Sequence, residues 1–294
     1  MPYLYLVSAV VLMSILNIFG AGFNRTEAGK QKNVTPFYNF LLCGAACITW
    51  GIIYLFDFSF DPRVLVYSAI FGVCYAGIAI TSIKALAEGP TLLTTLLQQL
   101  SLLGVTIWGF VRWNTWDVKM APLVLTGLAL VVVSLVLSLY SGEKSGKKIT
   151  LKWLAYASVM FVVTASSSIV QKEEQNAFHG EHGSMFMFFG VFLAMLICLG
   201  YFLLTEKPDT RKLIKTAWYY PLGAGMSSSL GNLFVVLMAT RLSSNLVYPT
   251  LAVGCLALTS VGAVALFKEK LAWWQWIGVF IGAVAVALLS INSQ

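Results

Sequence analysis

The 294-residue chain is 59% hydrophobic and only 11% charged, with a formal net charge of +7 and a mean hydropathy of +0.82. A soluble domain carries roughly 25% charged residues, so a water-soluble globule is excluded. The basic residues fall in the breaks between apolar runs and form no long block, which points to membrane topology and away from nucleic acid as a partner.

Ten apolar runs are predicted as membrane-spanning helices, at 3–22, 36–56, 64–87, 90–111, 118–140, 151–171, 184–205, 216–240, 243–267 and 271–291. Runs of about 20 residues, rising ~1.5 Å each, cross a hydrocarbon core of ~30 Å. Helices are favoured over a β-barrel, whose strands would be ~10 residues long with alternating polarity. The first run has no basic leader and no convincing cleavage site, and is expected to be a retained span rather than a signal peptide. The five cysteines, Cys43, Cys47, Cys74, Cys198 and Cys255, all lie inside runs. Their odd number and apolar setting predict reduced, buried thiols. Cys43 and Cys47 share a helix face, but two thiols alone make a weak metal site.

Several breaks are short. Gly89 and Pro90 are expected to stop one helix and start the next, and 240–243 is a second tight hairpin. The charged break Phe267-Lys-Glu-Lys270 is expected at a membrane surface, with Trp273, Trp274 and Trp276 in the interfacial layer beside it. The polar stretch Ser141-Gly-Glu-Lys-Ser-Gly-Lys-Lys148 divides the chain. It predicts a first five-helix unit at 1–140, a linker at 141–150 and a second five-helix unit at 151–294. A shift of about 154 residues places Gly77 on Gly231, Ala85 on Ala239, Leu92 on Leu246 and Leu97 on Leu251. Five is odd, so the two units would enter the membrane in opposite orientations. The predicted fold class is all-α integral membrane: ten transmembrane helices as two inverted five-helix repeats, an architecture of secondary transporters.

At Leu246-Val-Tyr-Pro-Thr250, and from Phe267-Lys-Glu-Lys-Leu271 to Trp276-Ile-Gly278, the chain resembles the drug/metabolite transporter superfamily in its ten-span EamA-like form. Pro249, Glu269, Gly278 and Gly282 stand where that pattern has its helix proline, loop glutamate and glycine-rich last helix. The corresponding first-half break, Val111-Arg-Trp-Asn-Thr-Trp-Asp117, has no glutamate in that place. The resemblance implies a central cavity surrounded by spans 1, 3, 4, 6, 8 and 9, and both termini inside. The charge distribution points the other way. With the termini inside, the cytoplasmic breaks would hold Arg63, Arg112, Lys119, Lys172 and Arg241, against fourteen Lys and Arg residues on the other side. The positive-inside rule would place both termini outside. Side chains that snorkel from helix ends weaken the count, and orientation stays open at this level.

Ionisable residues deep in spans mark ion and proton pathways. Lys84, Glu88, Glu173, Glu174 and Arg241 all lie near predicted helix ends, so neutral polarity must define any site. Thr91, Thr94, Gln98 and Ser101 share one face of the fourth span. Tyr75, Ala79 and Ser82 do so on the third, and Thr164, Ser168 and Gln171 on the sixth. Gly225, Ser228 and Asn232 align on the eighth; Tyr248, Ala252, Cys255, Thr259 and Gly262 align on the ninth. Ser14 and Asn17 mark the first. These are the spans that the resemblance sets around the cavity.

The substrate-binding candidates are Asn17, Tyr75, Thr94, Gln98, Ser168, Ser228, Asn232, Tyr248 and Pro249. Serine and threonine can instead bond to their own helix, and small residues can simply admit a neighbouring helix. Side-chain amides need several partners, which makes Asn17, Gln98 and Asn232 the sharper candidates, with interhelical bonding as the competing role. Gln99 points about 100° away from Gln98. Pro249 is expected to distort its helix and free a carbonyl near the site.

Other motifs carry less. Gly278-x3-Gly282 is a small-residue contact motif, serving packing within the chain or a homodimer. His179-Gly-Glu-His182 is expected to be a solvated loop and not a metal site. Asn24-Arg-Thr26 and Asn33-Val-Thr35 match the glycosylation pattern but lie close to the membrane, and Pro36 disfavours the second. Neither a cofactor nor a metal is expected, and no nucleotide-binding motif is present.

The expected function is secondary transport, by export, of a small neutral or zwitterionic metabolite such as an amino acid. A phosphorylated solute would favour buried Arg or Lys, and Lys84 alone is a candidate. Alternatives are a non-transporting scaffold or receptor, or an importer. An enzyme is not expected, because the spans contain no His and no central Asp or Glu. A channel would need a charged ring or a filter-like stretch. The expected partners are the small-molecule substrate and the lipid bilayer of the cell (plasma or inner) membrane.

Overall fold

The computed structural model describes residues 2–88, 94, 97–98, 100–112, 121–139, 150–205, 208–239, 241–267 and 273–291. Eleven helices are assigned among them. The first five are α1 Pro2–Arg25, α2 Thr35–Phe56, α3 Val64–Glu88, α4 Leu103–Arg112 and α5 Ala121–Leu139. The others are α6 Leu151–Ala177, α7 Gly183–Leu204, α8 Thr210–Thr216, α9 Tyr219–Ala239, α10 Ser244–Phe267 and α11 Trp273–Ile291. The architecture is all-helical, and seven helices (α1, α2, α3, α6, α7, α9 and α10) are long and apolar enough to cross a membrane. This is the character of a multi-pass membrane protein. The apolar stretches Leu125–Leu137 in α5 and Trp276–Ala285 in α11 are shorter.

The sequence expectations on Gly89, Pro90, Thr91, Leu92, Gln99, Lys119 and Glu269 lie outside the described residues, as does the 141–150 linker apart from Thr150. Thr150 caps α6 by accepting from the Trp153 N–H at 3.1 Å.

Three local features depart from the hydropathy reading. Helix α6 continues past the expected end at 171 to Ala177, because Lys172, Glu174 and Gln175 are buried by packing. The short helix α8 was not anticipated. Asp209 caps it by accepting from the Lys212 N–H at 3.3 Å, and Leu213 is buried beneath it. The fourth run breaks into a turn at Leu102, where the Val105 N–H donates to the Leu102 carbonyl at 3.3 Å.

The packing interleaves the two halves of the chain. Helix α1 lies on α9 and α10, α2 on α7 and α9, and α3 on α6 and α7. Helix α4 packs on α10 and α6, while α5 packs on α11 and α10. Helices α1 and α9 run antiparallel, with Gly231 against Met13 and Gly223 against Phe19. The start of α1 therefore shares one end of the bundle with the 57–63 and 178–182 loops. These loops meet where His182 Nδ1 and Ser59 Oγ stand 2.9 Å apart and Ser184 Oγ donates to Asp57 Oδ2 at 3.1 Å. In the first loop the Arg63 guanidinium bonds Asp61, which holds that carboxyl down at about 2. At the opposite end the 26–34 loop meets Asp209, whose N–H donates to Gln31 Oε1 at 3.0 Å.

The cores are rich in aromatic side chains. Trp50, Phe71, Met185, Phe186 and Met187 fill the space between α2, α3 and α7. All five cysteines are free, four of them buried. No group of three or more metal-ligating side chains is found among the described residues. Gly278 and Gly282 pack within the chain: Ser134 Oγ donates to the Gly278 carbonyl at 2.6 Å, and Gly282 lies against Ser134 and Val253. That glycine face is thus covered by α5 and α10.

Helices α3 and α7 approach closely at Gly72. A Cβ there would stand 2.5 Å from the Gly190 carbonyl oxygen, which is backbone and cannot swing aside. Gly72→Ala is expected to destabilise the protein by about 1–3 kcal/mol through overpacking. Thermal unfolding of the detergent-solubilised variant checks this, and an unchanged midpoint would show that the helices can part without cost.

Candidate functional site

A cavity of about 170 Å³ opens among α1, α6, α9 and α10. Its polar wall consists of Asn17, Ser168, Gln171, Asn232 and Tyr248; Met13, Leu16, Leu102, Val235 and Leu251 form the apolar wall. Cys255 completes it. A mostly apolar pocket with a few convergent polar groups is the usual form of a small-molecule site.

Each polar group is placed by its own helix. On α1, Ser14 Oγ donates to the Val10 carbonyl at 2.6 Å, bonding back to its own helix. One turn on, Asn17 Nδ2 donates to Thr259 Oγ1 of α10 at 3.4 Å. Gly254 against Val10 and Gly262 against Ile18 let α10 come close enough for this bond. On α9, Asn232 Nδ2 donates to the Ser228 carbonyl at 2.9 Å, which uses one N–H and leaves the rest of the amide at the cavity. On α10, the Tyr248 hydroxyl donates to the Ser168 carbonyl of α6 at 3.4 Å, which ties the two walls together. Pro249 follows it inside the helix and offers no N–H to the carbonyl of Asn245. The turn at Leu102 is irregular backbone at mid-bundle, tolerated where it borders a cavity.

Four of the nine sequence candidates therefore meet at one cavity: Asn17, Ser168, Asn232 and Tyr248. Tyr75 and Ser228 are found elsewhere, bonded to each other at 3.1 Å between α3 and α9. Pro249 is buried within α10 beside the wall. Thr94 and Gln98 are not part of the wall. Thr94 is buried and accepts the indole N–H of Trp153 at 2.9 Å, so its face is turned to α6. The Gln98 carbonyl accepts from Ser101 Oγ at 2.6 Å, and the fourth run contributes Leu102 instead. Thr94→Val is expected to cost about 1–3 kcal/mol by orphaning the buried indole N–H. It should leave solute flux close to the wild-type level, and a parallel unfolding and flux measurement separates the two effects.

The residues absent from the candidate set are mostly apolar, and no periodicity distinguishes Met13 or Val235 from core. Gln171 was visible on the polar face of its span, and the structure brings it to the cavity. Just beyond it on α6, Glu174 and Gln175 have no exposed surface. Glu174 lies near the predicted end of its span, yet that end is enclosed, with Gly183 and Val236 packed beside Gln175. Gln175 Nε2 donates to Glu174 Oε2, while Glu174 Oε1 and Gln175 Oε1 have no partner among the described residues.

No family model and no curated protein matches the chain. A solved protein crystal structure aligns with 99% of this chain and 97% of its own, at a TM-score of 0.73 and 14% sequence identity. At that identity the likeness is one of fold alone.

Proposed function

We propose that this protein is a secondary transporter of small neutral or zwitterionic organic solutes, such as amino acids and related metabolites, working by alternating access. The observation that carries the reading is the cavity in which three amides, Asn17, Gln171 and Asn232, converge with Tyr248 and Ser168 from four helices. Neutral donors and acceptors in an apolar wall suit a solute whose charges cancel, and no wall residue offers a cation to a phosphate.

The inverted-repeat reading is supported by the pattern of packing. Let α1, α2, α3, α4 and α5 correspond to α6, α7, α9, α10 and α11. The pair α1–α9 then maps onto α6–α3, α2–α9 onto α7–α3, and α1–α10 onto α6–α4, while α2–α7, α4–α10 and α5–α11 map onto themselves. All of these pairs are in contact. On this reading the chain has ten spans in two inverted five-helix units of the EamA-like drug/metabolite transporter type. Basic side chains crowd the end that carries Arg25, Lys30, Lys32, Arg211, Lys212 and Lys215. The positive-inside rule assigns that end to the cytoplasm of a cell membrane, against the inward termini that the resemblance implies, and on this assignment export runs from it.

The test is reconstitution. Purified protein in liposomes loaded with the standard amino acids should release at least one of them faster than protein-free liposomes. The reading fails if none moves faster.

A further inference from the structure

A second cavity, of about 270 Å³, lies between α1, α2 and α3 at the basic end of the bundle. Asn24, Thr35, Tyr38, Asn39 and Ser82 supply its polar wall. All five are neutral, as in the first cavity. The Tyr38 side chain is 7% exposed, and its ring packs on Phe23 at a centroid distance of 4.4 Å. Its hydroxyl is buried and has no partner among the described residues. Buried hydroxyls are normally bonded, so an unpaired one in a residue that lines a cavity has a bond to offer a ligand that enters there. Asn39 Nδ2 donates to the Ala79 carbonyl at 3.3 Å, and no bond to its other N–H or its side-chain carbonyl is found among the described residues.

The two cavities are neighbours along the bundle. Asn17 lines the first and Gly20 the second, one turn apart on α1. Tyr75 stands one turn before Ala79, which lines the second cavity, and Ser228 stands one turn before Asn232, which lines the first. The 3.1 Å Tyr75–Ser228 hydrogen bond therefore lies at the level between them.

We infer that the second cavity is a second binding site for the same neutral or zwitterionic solute, with Tyr38 and Asn39 as its hydrogen-bonding anchors. It is a loading station on the path to the first cavity, and Tyr75 must leave Ser228 for the solute to pass. The inference rests on the transporter reading above.

The experiment is equilibrium dialysis of the purified full-length chain in detergent against an equimolar mixture of the standard amino acids. Retained solute is counted per chain by mass spectrometry. Wild type is expected to retain two equivalents of its preferred amino acid. Ala79→Leu, which fills the second cavity, should retain one. Tyr38→Phe keeps the ring and its packing, and should weaken one equivalent several-fold while leaving the other unchanged. The inference is overturned if both variants bind two equivalents with wild-type affinity. It is also overturned if wild type binds one equivalent that Asn232→Ala abolishes and Tyr38→Phe does not touch; that result leaves the transporter reading standing. Retention of no amino acid by wild type removes the solute class on which both rest.

Discussion

Asn232→Ala is expected to lower solute export by about 10–100-fold at equal protein level, the loss that follows from deleting a well-placed amide in an apolar wall. Asn232 commits one N–H to the Ser228 carbonyl of its own helix. The helix does not need that bond, because alanine is the best helix former and removes no backbone group. The rest of the amide stands at the cavity with Asn17 and Gln171. Truncation should therefore spare folding and strike binding, which is the signature of a residue that handles solute. The check compares culture medium by mass spectrometry from cells expressing wild type, Asn232→Ala or an empty vector. A metabolite enriched by the wild type alone names the solute and places Asn232 on its path. Equal export by wild type and variant would remove Asn232 from the site. A scaffold or receptor would show no export from either, and its interactions would be indifferent to the change.

Gln175→Met is expected to destabilise the folded protein by about 3 kcal/mol or more, the cost of leaving a buried carboxyl group without its hydrogen bond. Gln175 Nε2 is the donor to Glu174 Oε2, and neither residue has exposed surface. Of the charged groups beside it on α6, Lys172 is itself buried and Glu173 is bonded elsewhere. Glu173 accepts from Trp108 Nε1 at 2.9 Å, with Arg112 4.0 Å away. Arg63 bonds Asp61, and His182 bonds Ser59. Methionine matches the length of glutamine and fills the same space without a donor. The double variant Glu174→Met, Gln175→Met removes both partners and should recover most of the loss, since paired apolar replacement of a buried polar couple can be nearly neutral. A double-mutant cycle by thermal unfolding in detergent reads the coupling directly. A single-variant loss below about 1 kcal/mol would show that water reaches the carboxyl group.

The seven long apolar helices could be read from the chain alone, because spanning is a local property: a run of about 20 apolar residues has no better place than a bilayer. The polar faces were legible for the same reason, since residues three and four apart must share a side of a helix. Hence Asn17, Ser168, Asn232 and Tyr248 could be named before their meeting was seen. What a face meets is not local. Thr94 has the same spacing as the other candidates, yet Trp153, 59 residues away, takes its hydroxyl. Lys172, Glu174 and Gln175 carry the polarity of a helix end, yet α7 and α9 close over that end and α6 runs on to Ala177. The Leu102 turn and the apolar wall carry no signal in composition, because a leucine beside a cavity and a leucine in a core contribute alike to hydropathy. Sequence by itself determined which segments are long and apolar enough to enter a membrane and which sides of them are polar. Tertiary structure alone decided which polar sides face one another, which are used up in packing, and where space is left between them. Burial and hydrogen bonding depend on neighbours that the chain brings together only when it folds.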